Sequence, residues 1–522
     1  MKKLVINVGL ILLTTAGVST LNSCKDALEI VQPGELNPDA VFTNVSNLEG
    51  FLNGAVYAAV EPNYEIYLSA VLTDEVKPGK SSGGQEFQLH RFFLDKGDAL
   101  TSNIWLSNYT VINRVNRLLE GATKFTPASS ELAKYNSILA QARLLRAFAY
   151  LELQTYFSEN MKDDNGLGVI IVEGVPETAN QTPRSSNKEV FDVINADLEY
   201  ARGILKRGSN RYYADLNFVE ALAARVNLYR GKYAEAKINA LSVLNNSGLA
   251  LTPATPIYPN DDQTPPIGSA EWNAEFYKTG GSFNPYRNIW NDSSRGEVIF
   301  ALNRQATGVG FSIGTRWNTN QSNITGSPMW NMGRNLFNII DNTDGDIRRY
   351  AFIDPTSTID PNYLTSPSPI TSDQIIIDKY PGIPNAATRN DIKVIRLSEI
   401  YFILAECAVS ENNLGAAADY IQQVRVARNY KGTATTPAYS SKQVALADIL
   451  KERRVELAFE GHRLIDLKRL AVDAGVEMDR NPTDDIVTVS NLPNGSYKYT
   501  LPIPISETAG NPNIQQNTGY SK

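Results

Sequence analysis

The stretch that decides the fold runs from Glu452 to Leu470 and has the sequence ERRVELAFEGHRLIDLKRL. Its leucines recur at helical spacing, which predicts one helix with an apolar stripe. Charged side chains flank the stripe at the spacings that make residues neighbours on a helix. Structural ion-pair networks shift the pKa values of their members even where those residues take no part in catalysis. We therefore interpret the charges as a structural network rather than a catalytic one, formed by Arg453, Glu456, Glu460, Arg463 and Asp466.

The pattern E-R-R-x-E-L-A-F-E-G-x-R-x-x-D-L-x-R in this stretch resembles the carboxyl-terminal signature of the SusD/RagB family. Three other segments carry the same resemblance: NPDAVFTNVSNLEGFLNGAVY at 37–57, RLLRAFAY at 143–150 and PIPISETAGNPNIQQNTGY at 502–520. The resemblance implies a mostly α, SusD-like fold. Such a fold has tetratricopeptide-type helical pairs as a scaffold and a loop-rich half with a few short strands.

Members of that family are surface lipoproteins of Bacteroidetes that capture nutrients for a TonB-dependent outer-membrane transporter. For this chain the resemblance implies glycan capture, a SusC-like TonB-dependent transporter as partner, and neither enzyme activity nor a cofactor. Family members bind and hand over their substrate rather than cleaving it. Their ligand-binding residues vary with the ligand, so the resemblance assigns none here.

The amino terminus has the pattern of a lipoprotein signal. Lys2 and Lys3 precede an apolar run from Leu4 to Val18, and Leu-Asn-Ser-Cys at 21–24 resembles a bacterial lipobox. Cleavage before Cys24 and acylation of that residue would anchor the chain in the outer membrane, exposed at the cell surface. The alternative is an ordinary signal peptide with a chance cysteine.

Helical pairs with small residues at the crossing are predicted from Asn217 to Leu244 and again from Ser398. Prolines punctuate the segment between them, which favours long loops, and loops on a rigid scaffold often hold binding sites. The predicted regions are a lipoprotein signal peptide at 1–23, the lipidated Cys and tether at 24–38, a helical region at 39–246, a loop-rich insertion and ligand face at 247–391, and the signature region at 392–522.

Composition excludes some functions. The formal charge of −7 argues against nucleic-acid binding. Two histidines, His90 and His462, leave little room for a zinc site or a histidine-dependent nucleophile. The acidic run from Asp341 to Asp346 fails the EF-hand pattern, so we expect turn formation there and no metal site of that type.

Sugars present apolar C–H faces to aromatic rings and hydroxyls to amides and arginines, so we looked for such groups in the insertion. Trp317 lies among polar residues and is the first candidate, while Trp290 is expected in the core. The predicted ligand-binding residues are Trp317, Trp330, Trp272, Tyr286, Arg316 and Asn318.

Two other functions remain open from the sequence. One is peptide capture, as in the RagB branch of the family. The other is a protein-interaction scaffold, in which the tetratricopeptide-like groove binds a partner and the loops hold no small ligand. A glycosidase would need only two carboxylates about 5 to 10 Å apart, which a sequence with 56 acidic residues does not exclude.

Overall fold

The computed structural model describes residues 41–521, except 81, 176–180, 256–264, 267, 279–285, 309, 318–327 and 488. The predicted signal peptide, Cys24 and the tether lie outside the described residues.

Helices dominate the described residues and the strands form two two-stranded sheets, which confirms the predicted mostly α fold. The strands are β1 (Val76–Pro78), β2 (Val298–Leu302), β3 (Trp330–Met332) and β4 (Ile392–Arg396). The helices are α1 (Val45–Phe51), α2 (Asn63–Val71), α3 (Phe87–His90), α4 (Ala99–Ala122), α5 (Leu132–Phe157), α6 (Asn187–Ile204), α7 (Leu216–Tyr229), α8 (Tyr233–Asn246), α9 (Ala270–Phe276), α10 (Arg287–Trp290), α11 (Arg334–Asp341), α12 (Pro369–Ser372), α13 (Leu397–Ser410), α14 (Leu414–Arg428), α15 (Lys442–Glu456), α16 (Arg463–Ala474) and α17 (Ile505–Gly510).

The two predicted helical pairs are present as α7–α8 and α13–α14. Ala224 and Ala236 in the first pair, and Ala405 and Ala417 in the second, are fully buried, which lets the paired backbones approach closely. Helix α8 also packs against α13, so the two pairs form one scaffold although the insertion separates them in sequence.

A two-stranded sheet joins the insertion to the segment that follows it. Strand β2, inside the insertion, pairs antiparallel with β4, which comes directly after the insertion, and every residue of both strands is buried. Strand β3, also inside the insertion, pairs with β1, and α11 follows directly from Arg334.

The predicted single helix over the signature is wrong. Helix α15 ends at Glu456 and α16 begins at Arg463, because Phe459 (φ 61°) and Gly461 (φ 86°) take the left-handed conformation. The apolar spacing continues across this turn, so periodicity alone does not show the break.

The five charged residues singled out in the signature all form buried ion pairs, though not with the helical neighbours that the spacing suggests. Arg453 binds Asp466 (Nε to Oδ2, 2.7 Å), and Arg463 binds Asp74 near the amino end (Nη2 to Oδ2, 2.8 Å). Glu456 and Glu460 share Arg396 at the end of β4, with N to O distances of 2.8 and 2.7 Å. The signature therefore ties distant parts of the chain together.

Candidate ligand-binding site

The four aromatic residues predicted to bind ligand are core residues. Each is at most 1% exposed. A ring enclosed on both faces has no surface on which a sugar can stack, so the exposure that this prediction required is wrong for Trp317, Trp330, Trp272 and Tyr286.

Trp317 is enclosed by other aromatic rings. Its centroid lies 5.6 Å from that of Tyr67, 6.4 Å from Tyr380 and 6.0 Å from Phe459. Trp330 is tied to the same group, since its Nε1 donates to the Tyr67 hydroxyl at 2.6 Å. These tryptophans therefore join the loop-rich half to the main hydrophobic core.

Trp272 and Tyr286 have similar roles elsewhere. Trp272 stacks on Phe276 with centroids 5.3 Å apart. The Tyr286 ring lies under the guanidinium of Arg428 (4.2 Å), and its hydroxyl donates to Glu456 Oε1 at 3.1 Å. Tyr286 is therefore part of the buried ion-pair network.

Among the predicted binding residues that the structure describes, Arg316 has a partly open side chain, 39% exposed. It forms an ion pair with Glu86 and donates to the Tyr67 hydroxyl at 2.8 Å, so its charge is already compensated. Asn318 lies outside the described residues.

The aromatic surface that the sequence search sought lies in a different place. A cleft of about 550 Å³ opens between three segments of the chain. They are the α6–α7 loop, the π-helical turn Leu52–Tyr57 and the segment that follows β2. We call this cleft the Tyr213 cleft. Its lining residues are Asn53, Tyr57, Ala58, Asn210, Tyr212, Tyr213, Leu302, Asn303, Arg304, Gln305, Thr307 and Gly308.

Tyr213 supplies the open ring of the cleft, being 47% exposed. Tyr57, on the π-helical turn Leu52–Tyr57, supports it edge-on, with ring centroids 6.2 Å apart and planes at 84°. The Tyr57 hydroxyl accepts from Ala214 N and donates to Gln141 Oε1, both at 2.8 Å. These bonds hold the loop that carries Tyr213 before a ligand arrives.

Asp391, just before β4, joins the two loops of the cleft. Its Oδ2 accepts from the Tyr212 hydroxyl at 2.7 Å and from Arg211 Nη2 at 3.0 Å, while its Oδ1 accepts from Arg304 N at 2.8 Å. Burial and the hydrogen bond to Asp391 raise the pKa of Tyr212 to about 12, so this hydroxyl stays protonated. The cleft is thus preformed on β2 and β4.

Amide side chains form the polar rim. Those of Asn53, Asn303 and Gln305 are exposed and make no hydrogen bond within the described part of the chain. An amide offers two donors and one acceptor oxygen, which matches a sugar hydroxyl that both donates and accepts. The cleft therefore combines an apolar ring with unsatisfied hydrogen-bonding groups.

A second aromatic pair continues this face. Phe311, 51% exposed, lies 5.1 Å from the Tyr64 ring, and its N–H donates to Glu61 Oε2 at 3.0 Å. Glu61 also accepts from Arg304 at 3.5 Å, which links this pair to the Tyr213 cleft.

Tyr213, Phe311, Asn303 and Gln305 are not among the residues predicted from the sequence, because that prediction gave most weight to the tryptophans of the insertion. The available signals were the run Ser209–Tyr213 between two helices and the amide-containing run after the strand that ends at Leu302. Both are polar loops that begin or end at a predicted element.

The aspartates of the acidic run and the two histidines have structural roles. Asp341, Asp344 and Asp346 form ion pairs with Arg349, Lys431 and Arg348. Burial lowers the pKa of His90 to about 3 and that of His462 to about 4, so both imidazoles are neutral. Across the residues that the structure describes, no three His, Cys, Asp or Glu side chains are grouped to hold a metal ion.

Two family models match the chain. The model described as SusD family matches residues 297–520, and the one described as starch-binding associating with outer membrane matches residues 37–228. Among relatives, SusD-like protein P2 of Formosa agariphila is 24% identical, covering 100% of this chain and 100% of that one.

Solved structures show the same fold. A SusD superfamily protein from Bacteroides thetaiotaomicron has a TM-score of 0.73 at 21% identity, covering 91% of this chain and 99% of that one. A laminarin binding SusD-like protein has a TM-score of 0.64 at 21% identity, covering 92% and 100%. These likenesses confirm the predicted SusD-like fold.

Proposed function

Because the chain belongs to the SusD family, we propose that it is a surface lipoprotein that binds an oligosaccharide and passes it to a TonB-dependent outer-membrane transporter. The observation that carries the binding proposal is the open ring of Tyr213 beside a rim of unpaired amide side chains. We assign the ligand to the Tyr213 cleft.

The chemistry of the cleft supports a sugar ligand. Small-molecule sites combine apolar surface with a few well-placed polar groups, and the cleft volume lies in their usual range of about 300 to 1,000 Å³. The family description names starch, and one relative in fold binds laminarin, so glycans are the class to test first. The twelve described residues of the lining include no carboxylate, whereas a glycosidase needs two.

An outer-membrane location is supported by the description of the amino-terminal family match and by the lipobox-like sequence at Cys24. Several acyl chains on that residue would give a stable anchor, which one chain does not. None of the described helices has the length and apolar character needed to cross a membrane. The transporter partner follows from family membership and requires its own test.

Isothermal titration of residues 25–522 against separate pools of oligosaccharides and short peptides tests the ligand class. We expect binding heat from a saccharide pool. Heat from peptides alone would contradict glycan capture and favour the RagB-type function. Heat from neither would favour an interaction scaffold, and the transporter would then be the next ligand to titrate.

A further inference from the structure

We infer that the Tyr213 cleft selects an uncharged oligosaccharide and discriminates against glycans that carry sulfate or carboxylate groups. This inference rests on the proposed function and adds the class of glycan. It is carried by the charges around the cleft and by what each of them already binds.

Arg304 is the one charged residue among the twelve described residues of the lining. Its side chain is only 2% exposed. Its Nη2 donates to Val60 O at 2.9 Å and to Glu61 Oε2 at 3.5 Å, and its Nη1 donates to Asn303 O at 3.2 Å. Its Nε has no hydrogen-bond partner but is buried, so Arg304 stabilises the floor of the cleft and has no exposed guanidinium edge for a ligand.

Three more arginines lie beside the cleft but are not among its lining residues, and each donates to acceptors of the chain itself. Arg211 pairs with Asp391, whereas Arg295 and Arg389 bind backbone carbonyls, which orient their side chains without cancelling their charge. Recognition of a sulfate or carboxylate depends on charge-assisted hydrogen bonds from an available cation, most often a bidentate arginine. Arg211 donates to Ser294 O (2.6 Å) and to Asp391 (3.0 Å). Arg295 donates to Ser209 O (2.5 Å) and Val298 O (3.2 Å). Arg389 donates to Gln305 O (2.7 Å) and Gly310 O (2.9 Å).

The groups that remain available in the cleft are neutral. They are the Tyr213 ring and the amides of Asn53, Asn303 and Gln305. Amides satisfy hydroxyls in both directions, but an anion bound in the cleft would lose hydration without direct contact with an exposed cation of the lining, which is costly. The same cleft should therefore hold a neutral chain and disfavour its acidic counterpart.

Matched pairs of oligosaccharides test this selection. One pair is β-1,4-mannohexaose and β-1,4-hexamannuronate, which share linkage and length and differ in oxidation at C6. A second is a sulfated galactan oligosaccharide and its desulfated form, and neutral laminari- and malto-oligosaccharides complete the panel. Titrations use residues 25–522 at two salt concentrations, about 50 and about 500 mM, because screening weakens ionic but not stacking contacts.

We expect every saccharide that binds to be neutral, to exceed its acidic partner in affinity by at least tenfold, and to keep its affinity across the two salt concentrations. Gln305→Lys, which adds a free cation to the rim, should reduce the ratio of the affinity for a neutral oligosaccharide to the affinity for its acidic partner. Equal or tighter binding of an acidic member, weakened by salt, would overturn the inference and leave glycan capture standing. Binding of no saccharide at all would overturn both proposals.

Discussion

Glu75 is a buried carboxyl beside a buried ion pair. Its neighbour Asp74 binds Arg463, whereas Glu75 Oε1 accepts only the Phe459 N–H (2.9 Å) and Oε2 has no hydrogen-bond partner. Burial raises the pKa of Glu75 from 4.5 to about 8, so the carboxyl is protonated in the folded chain at neutral pH. Two adjacent acidic residues thus differ in charge because only one has cations to bind.

This difference predicts a pH effect on stability. Between pH 4.5 and about 8, the folded chain keeps the Glu75 proton and the unfolded chain has lost it. The contribution of this proton to the free energy of unfolding is therefore complete below pH 4.5 and is lost as the pH rises through about 8. Glu75→Gln keeps the bond to Phe459 and cannot ionise. Its unfolding free energy relative to the parent should rise by up to about 1.4 kcal/mol per pH unit across this range. Urea unfolding at several pH values measures it, and parallel curves for the two proteins would contradict it.

Trp317 gives a second prediction at the residue scale. Because its ring packs in the core, Trp317→Phe should lower the free energy of unfolding by about 1 to 3 kcal/mol. Glycan affinity, measured below the melting temperature, should stay within about twofold, a change well under 1 kcal/mol. Calorimetry and titration on the same sample measure both effects. A tenfold loss of glycan affinity in a folded variant would contradict the core role of Trp317 and indicate that it belongs to the binding site.

At the scale of elements, the turn between α15 and α16 connects the signature region to the insertion. Ending α15 at Glu456 frees backbone carbonyls that the insertion satisfies. Lys379 Nζ donates to Glu456 O (3.1 Å) and Ala458 O (2.7 Å), and the Tyr380 hydroxyl donates to Phe459 O (2.9 Å). The break in the helix is therefore what lets the signature hold the loop-rich half.

Glu456 is the carboxylate on which this connection depends. Although burial opposes its ionisation, Arg428, Arg396 and Arg348 hold the pKa of Glu456 well below its usual range. Glu456→Gln leaves these arginines buried with too little negative charge, so we expect a loss of about 3 to 5 kcal/mol in unfolding free energy. Thermal and urea unfolding measure it. Glu477→Gln, at an exposed carboxylate, is the control. An equal loss of unfolding free energy in both variants would contradict the claim that the connection depends on Glu456.

At the scale of the whole molecule, the proposed anchor can be tested with the chain's two cysteines. Cys24→Ala should move the protein from the outer-membrane fraction to the soluble fraction, because the acyl chains that hold it would be absent. Cys407→Ala, which changes a buried free thiol, should leave the location unchanged. Cell fractionation with immunoblotting measures both. Retention of the Cys24 variant in the membrane would contradict lipid anchoring.

The sequence predicts the parts of the molecule that depend on local pattern. The helical pair around Ala224 follows from spacing within about thirty residues, since each helix has its own apolar face. The cleft does not follow in this way, because Tyr57, Tyr213 and Asn303 are brought together by long-range contacts, among them the β2–β4 pairing, the bond from Ala214 N to the Tyr57 hydroxyl and the bonds of Asp391. The burial of Trp317 is also long-range, since Tyr67 and Phe459 supply its surroundings.

The most direct test of the central claim is titration of Tyr213→Ala with the best-binding neutral oligosaccharide. Tyr497→Ala serves as a control, because Tyr497 is exposed to a similar degree, 42% against 47%, and lines no part of the cleft. We predict a loss of at least tenfold, about 1.4 kcal/mol, for Tyr213→Ala and unchanged affinity for Tyr497→Ala. Unchanged affinity in a folded Tyr213→Ala variant would contradict the claim that this cleft is the glycan-binding site.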